Sequence, residues 1–119
     1  MKSNKLFGIN KAVVGMIHVD SLPGTPQYKG DVENIINSAV KEAMIYKNCG
    51  IDAIAIENMH DIPYLKRKVG PEIISLMSII GLEVKKASQL PCGIQILAGA
   101  NKEALAAAHS AGMDFIRSE

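Results

Sequence analysis

Cysteine is scarce in this chain, and charge of either sign is not in excess. Cys49 and Cys92 lie far apart, each just before a glycine at the edge of an expected element; such a pair matches neither a disulfide framework nor a zinc site, and both read as small buried hydrophobes. Thirteen basic residues stand against twelve acidic ones, so nothing points to nucleic acid or to an acidic partner. No apolar run approaches the roughly 20 residues of a membrane span, and Met1–Asn10 lacks the apolar stretch and cleavage site of a secretory signal. The expected location is therefore the cytoplasm. Lys2, Lys5 and Lys11 precede the first acidic residue, as in organelle import signals, but the stretch holds no arginine and one serine, which leaves import as the alternative.

What is present is apolar: 48% of the 119 residues are hydrophobic, enough for one globular domain over residues 1–119. The segment Ser21–Gly30 carries two prolines and two glycines and reads as a surface loop. Asp31 then makes an N-cap, and Val32, Ile35, Ile36, Ala39, Val40, Ala43 and Met44 recur at helical spacing up to the stop at Gly50. A second helix is expected from Pro71, acceptable at a first helical position, with Ile73, Met77, Ile80, Val84 and Ala87 on one face and an end before Pro91. Ile79 and Leu82 fall off that face, where they either meet a neighbouring helix or subunit or stand exposed. A third, alanine-rich helix runs from Asn101 as N-cap through Leu105 and Ala108 to Gly112, suited to close packing on a sheet.

Between these helices stand four short apolar runs, with starts near Ala12, Ala53, Gly93 and Asp114. Alternation of strand and helix is the signature of a parallel α/β sheet built by right-handed crossovers. Each run ends in polar residues, and in parallel α/β proteins ligands collect at the carboxyl ends of strands. Side chains alternate across a strand. His18 thus shares a face with Val14 and Met16, Glu57 with Ala53 and Ala55, and Gln95 with Leu97. The bulky Ile17, Val19, Ile54, Ile56, Ile94 and Ile96 suit the helix-covered side. His18, Glu57, Gln95 and Arg117 can therefore converge, and two readings stand: an Arg–Glu ion pair that ties strands together, or a ligand site.

Other motifs are weaker. His60 and Asp61 lie in a loop, as candidate ligands or as solvated turn residues. His18, Asp20, Glu57 or His60 could hold zinc, iron or manganese, yet no HExxH or CxxC spacing selects a metal, and none is assigned. The glycines fit neither the dinucleotide nor the P-loop pattern. Asn101, opening a helix directly after a strand, offers backbone N–H groups to a phosphate. Lys66, Arg67 and Lys68 read as a solvated run rather than a phosphate grip.

Several segments in order, Val14-Gly-Met-Ile-His-Val19, Leu22-Pro-Gly-Thr-Pro26, Gly50-Ile-Asp-Ala-Ile-Ala-Ile-Glu-Asn58, Val69-Gly-Pro-Glu72 and Asp114-Phe-Ile-Arg117, resemble the BtpA family, named for a photosystem I biogenesis protein. The resemblance implies a TIM-type (β/α)₈ barrel of the phosphate-binding group, with the strand-end residues around its mouth. Such a barrel needs roughly 250 residues, so this chain would supply the first half and lack the phosphate-binding loops after strands seven and eight. Ala98–Asn101 departs from the charged segment that bacterial members more often carry after the third strand. The chain is then a fragment, a truncated product, or a half-barrel that pairs with another copy. Its outer strands would have open edges, which favours self-association.

At such a barrel mouth Glu57 is expected as general base or metal ligand, His18 as acid/base group or ligand, Arg117 as the anion-binding group and Asn58 as an orienting hydrogen-bond partner. Asp20, Asn58, His60, Asp61 and Gln95 would contact substrate. Three functions compete: an enzyme or binder of a small anionic or phosphorylated metabolite, its reaction open among isomerase, lyase and hydrolase; a non-enzymatic assembly factor using Ile79 and Leu82; and an inactive truncated form.

Overall fold

The computed structural model describes residues 11–19, 31–58, 71–96 and 101–117. The elements run β1 (Val14–His18), α1 (Val32–Asn48), β2 (Ala53–Glu57), α2 (Pro71–Ser88), β3 (Cys92–Gln95), α3 (Asn101–Ala111) and β4 (Phe115–Ile116). All strand pairs are parallel and the spatial order is β1-β2-β3-β4. This is an α/β fold of the kind that makes up part of a TIM barrel, because a sheet whose order never reverses is wound one way, as in (β/α)₈ barrels rather than doubly wound sheets. No helix among the described residues is long and apolar enough to cross a membrane. The expected loop Ser21–Gly30, the basic run Lys66–Lys68 and the segment 97–100 lie outside the described residues.

Strand alternation sets the core. Ile17, Val19, Ile54, Ile56, Ile94 and Ile96 are buried in one cluster with Ile35, Ala39 and Ala43 of α1, Ile73, Met77, Ile80 and Val84 of α2, and Ala104, Ala107 and Ala108 of α3. Each fully buried isoleucine contributes about 1.5–3 kcal/mol of transfer free energy, so this phase of the strands is strongly preferred over the opposite one. Asp31 caps α1 by accepting from the Asn34 backbone N–H at 3.0 Å. Tyr46 donates its hydroxyl to the Met16 carbonyl at 2.7 Å, fastening α1 to β1, and Ser78 of α2 donates to the Ala107 carbonyl of α3 at 3.3 Å.

One sequence expectation is corrected. Cys49 is exposed, not buried, while Cys92 is buried; Cys49 is the C-cap of α1, where the chain turns off the core. Leu105 is 59% exposed: α3 lies on the core through Ala104, Ala107, Ala108 and Ala111, and the turn of about 100° per residue carries the leucine off that face. Ala87 is only half-buried, and Ser88 takes the buried position, its hydroxyl accepting from the Leu90 backbone N–H at 3.2 Å and lying 3.8 Å from the Cys92 sulfur. Burial pushes the Cys92 thiol up, against the lowering contributions of Ser88 and Lys85, which makes it an inert packing group.

A local device occurs twice. Gly50-Ile-Asp-Ala follows α1 and Gly112-Met-Asp-Phe follows α3. Both glycines have left-handed backbone, φ 80° and 68°, which lets the helix end while Ile51 N–H reaches the Tyr46 carbonyl and Met113 N–H the Ala108 carbonyl, at 3.2 and 2.9 Å, the outer bond of a Schellman turn. The aspartate then accepts from the backbone N–H at the start of the preceding strand: Val13 to Asp52 at 2.8 Å and Cys92 to Asp114 at 2.9 Å. Each returns its own N–H to the same residue's carbonyl. The two-sided bond fixes strand register before the ladder begins.

Two outcomes follow from these contacts. A Cβ added at Gly93 would fall onto the ring of Phe115 on the adjacent strand, so Gly93→Ala should cost about 1–3 kcal/mol by overpacking, with part recovered by Phe115→Leu; equilibrium unfolding measures both. Asp114 also accepts from Lys85 at 2.6 Å. Burial raises the Asp114 carboxyl, but the Lys85 hydrogen bond, the Cys92 N–H and the Lys85 charge outweigh it and hold the group below its ordinary value. A depressed folded value contributes stability above the ordinary aspartate value of about 3.9, and that contribution is lost as pH falls through the folded value. Asp114→Asn should therefore cost about 0.5–1 kcal/mol at neutral pH, as for a half-exposed pair. The gap from wild type should narrow progressively as urea unfolding is repeated at pH values falling below about 3.9.

Candidate functional site

On the face opposite the helices, register places the strand-end residues in rows. Met16 pairs with Ala55, Ala55 with Gly93 and Gly93 with Phe115. Two residues further on, His18 pairs with Glu57 and Glu57 with Gln95. The ladder continues past β4, where the Arg117 backbone N–H donates to the Ile94 carbonyl at 3.0 Å, which sets Arg117 beside Gln95. The lower row is apolar and the upper row polar. Alternation on each strand produces both at once, since any residue two positions beyond an inward one is inward too.

His18 and Arg117 are exposed, and Glu57 and Gln95 are both buried. The Glu57 carboxylate comes within 3.9 Å of an Arg117 guanidinium nitrogen, with side-chain exposures of 4% and 61%. Charge-assisted hydrogen bonds are about 2.7–2.9 Å long, so this contact is coulombic and not a bidentate clamp. One partner is buried in the sheet and the other lies mostly in solvent. The sequence therefore brings His18, Glu57, Gln95 and Arg117 to one rim. Asn58, 3% exposed, directly follows Glu57; Asp20, His60 and Asp61 lie outside the described residues. Among the described residues no three His, Cys, Asp or Glu side chains gather as a metal set.

Phe115 was not among the expected site residues, yet its ring covers Gly93 directly beneath the polar row. The signal was in the sequence: a glycine inside a strand marks close approach by another group. A recess between α1 and the carboxyl end of β1 is lined by Ile17, His18, Val19, Ser38 and Glu42.

A one-way parallel sheet with an apolar floor and a polar carboxyl-end rim defines an α/β protein of the partial-barrel type. A profile of the BtpA family matches residues 9–119, and the chain belongs to that family. It is 44% identical to an uncharacterized mitochondrial protein of Caenorhabditis elegans, over 98% of this chain and 44% of the relative. It is 42% identical to an uncharacterized protein of Pyrococcus horikoshii, over 91% of this chain and 41% of that one. Photosystem I biogenesis protein BtpA of Synechocystis is 32% identical, over 93% of this chain and 39% of its own length. The chain thus spans less than half the length of the curated relatives it matches. No solved structure matches.

If the Glu57–Arg117 contact were a structural tie, removing its cation would strand a buried carboxylate at a cost of about 3–5 kcal/mol. With Arg117 mostly in solvent, Arg117→Met should instead cost less than about 1 kcal/mol. Urea unfolding of the two proteins distinguishes the values.

Proposed function

We propose that the carboxyl-end rim binds a small anionic metabolite, phosphorylated or carboxylated, with Arg117 as the anion-binding group. Glu57 then acts as general base, or as a ligand if a divalent metal is used, and His18 as the acid/base partner. Gln95 and Asn58 orient the substrate, with Asp20, His60 and Asp61 as further contacts. The observation that carries this reading is the loose approach of exposed Arg117 to nearly buried Glu57: the guanidinium can leave its partner for a ligand without disturbing the sheet. The one-way strand order supports a closed (β/α)₈ barrel of roughly 250 residues in the whole protein, of which this chain forms the first half. The reaction then belongs to the isomerase, lyase or hydrolase classes, all of which use a positioned acid/base pair beside an anion site.

A second reading is favoured by a separate observation. Ile79 and Leu82 of α2 are 44% and 41% exposed, and the Synechocystis relative is named for photosystem I biogenesis, so an assembly factor that docks through this helix, or a self-associating half-barrel, fits as well. The balanced charge and the lack of a spanning helix among the described residues support a cytoplasmic protein, and the mitochondrial label of the worm relative supports organelle import as the alternative.

Thermal-shift measurements with sugar phosphates, nucleotides and divalent ions test the first reading. Stabilisation by a phosphorylated compound, lost in Arg117→Ala and in Glu57→Ala, is the expected result. No shift with any of them, together with a dimer that Leu82→Glu dissociates in sedimentation, would replace it with the second.

A further inference from the structure

We infer that the rim takes a small zwitterion, an anion joined by a short carbon spacer to an ammonium group, in preference to a bare or hydroxylated anion; this rests on the anion-binding reading above. The observation that carries it is the side-chain carbonyl oxygen of Gln95. The residue is 3% exposed and makes an interaction of its own, yet its Oε1 lies buried with no hydrogen bond. Nearly all buried polar atoms are hydrogen-bonded, and an acceptor left unmet is a standing cost that a donor on a ligand removes.

Glu57 is the register partner of Gln95 on the neighbouring strand, so a carboxylate and a carbonyl oxygen, both acceptors, project from the same face. The two side chains are equally long, and in like conformations their oxygens stand one strand spacing apart, about 4.8 Å. A tetrahedral nitrogen that donates two hydrogen bonds of about 2.8 Å holds its acceptors about 4.6 Å apart. One ammonium group therefore bridges both. It has three donors and no acceptor, which matches this pair, whereas a hydroxyl has a single proton to donate and leaves one of the two oxygens unmet.

Arg117 holds the other end of the ligand. Since β3 lies between β2 and β4, the guanidinium reaches Glu57 across the position of Gln95, and its donors still leave Oε1 unmet. Its contact with Glu57, at 3.9 Å and mostly in solvent, is given up at little cost. Selection therefore comes from what the ligand brings as the guanidinium turns to the anion. A bare anion sets a second negative charge near Glu57 and leaves Oε1 as it was. An ammonium group takes over the guanidinium's place beside the carboxylate and satisfies Oε1 as well. With the two anchors this close, the anion and the ammonium of the ligand are separated by only a few bonds.

Calorimetric titration of the 119-residue chain with two matched pairs tests this: phosphoethanolamine against 2-hydroxyethyl phosphate, and β-alanine against 3-hydroxypropionate, with inorganic phosphate as the bare anion. The pairs separate a phosphate from a carboxylate headgroup. In at least one pair the amine should bind about tenfold or more tighter than its hydroxyl twin and than inorganic phosphate, a factor worth about 1.4 kcal/mol. Gln95→Met, which removes Oε1, should weaken the amine about tenfold and leave inorganic phosphate unchanged, a difference that a purely structural role for Gln95 would not produce. If the hydroxyl twins or inorganic phosphate bind as tightly as the amines and still depend on Arg117, the rim is an anion site and the zwitterion selectivity is wrong. No binding of any probe overturns the anion-binding reading together with this one. The ranking of probes on the unaltered chain decides the matter even if Gln95→Met does not fold.

Discussion

Everything at the rim depends on one packing constraint: six bulky residues, Ile17, Val19, Ile54, Ile56, Ile94 and Ile96, must face three helices at the same time. Each strand has two possible phases, and a slip by one residue would turn its isoleucines out of the core. With several such side chains at stake, at about 1.5–3 kcal/mol each, the phase is not negotiable. The opposite phase is then fixed as well, and with it the positions of Met16, Ala55, Gly93 and Phe115 in one row and of His18, Glu57, Gln95 and Arg117 in the next. The polar row is a consequence of apolar packing on the other face, so its geometry needs no contact of its own to hold it.

The two Gly-x-Asp turns serve the same constraint from the opposite end of the sheet. Alternation sets which face a residue takes, but not how far along its neighbour a strand sits. Asp52 and Asp114 supply that information by clasping the residue that opens the adjacent strand. Because the turns sit at the amino ends of β2 and β4 and the polar row at the carboxyl ends, the register-setting contacts and the polar row are separated along the strand axis. The Lys85–Asp114 pair and the inert Cys92 thiol belong to the register-setting end.

Much of this could be read in the sequence. The helical spacing of Ile35, Ala39 and Ala43 and of Ile73, Met77, Ile80 and Val84 located two helices and their buried stripes, since a 3.6-residue period is a direct image of one face. Two-residue alternation placed His18, Glu57 and Gln95 together for the same reason. What escaped was set by non-local contacts. Cys49 looked buried because composition says nothing of a residue at a turn. The repeated Gly-x-Asp turn is visible in the letters, but its partner is a backbone group on another strand, which no local pattern announces. Phe115 took its place over Gly93 by the same kind of long-range pairing. The distance between Glu57 and Arg117 depends on side-chain reach across the strand that separates them, and only coordinates supply it.

The rim exists only if strand register puts His18 beside Glu57 on the face away from the helices. Paired residues on neighbouring parallel strands have Cα atoms about 4.8 Å apart, within disulfide range. In a background where Cys49 and Cys92 are replaced by serine and alanine, the pair His18→Cys with Glu57→Cys is predicted to cross-link readily under mild oxidation. The pair Ile17→Cys with Glu57→Cys, whose side chains lie on opposite faces, is predicted to stay reduced. Equal cross-linking of the two, or the reverse preference, would contradict the register and dissolve the rim that depends on it.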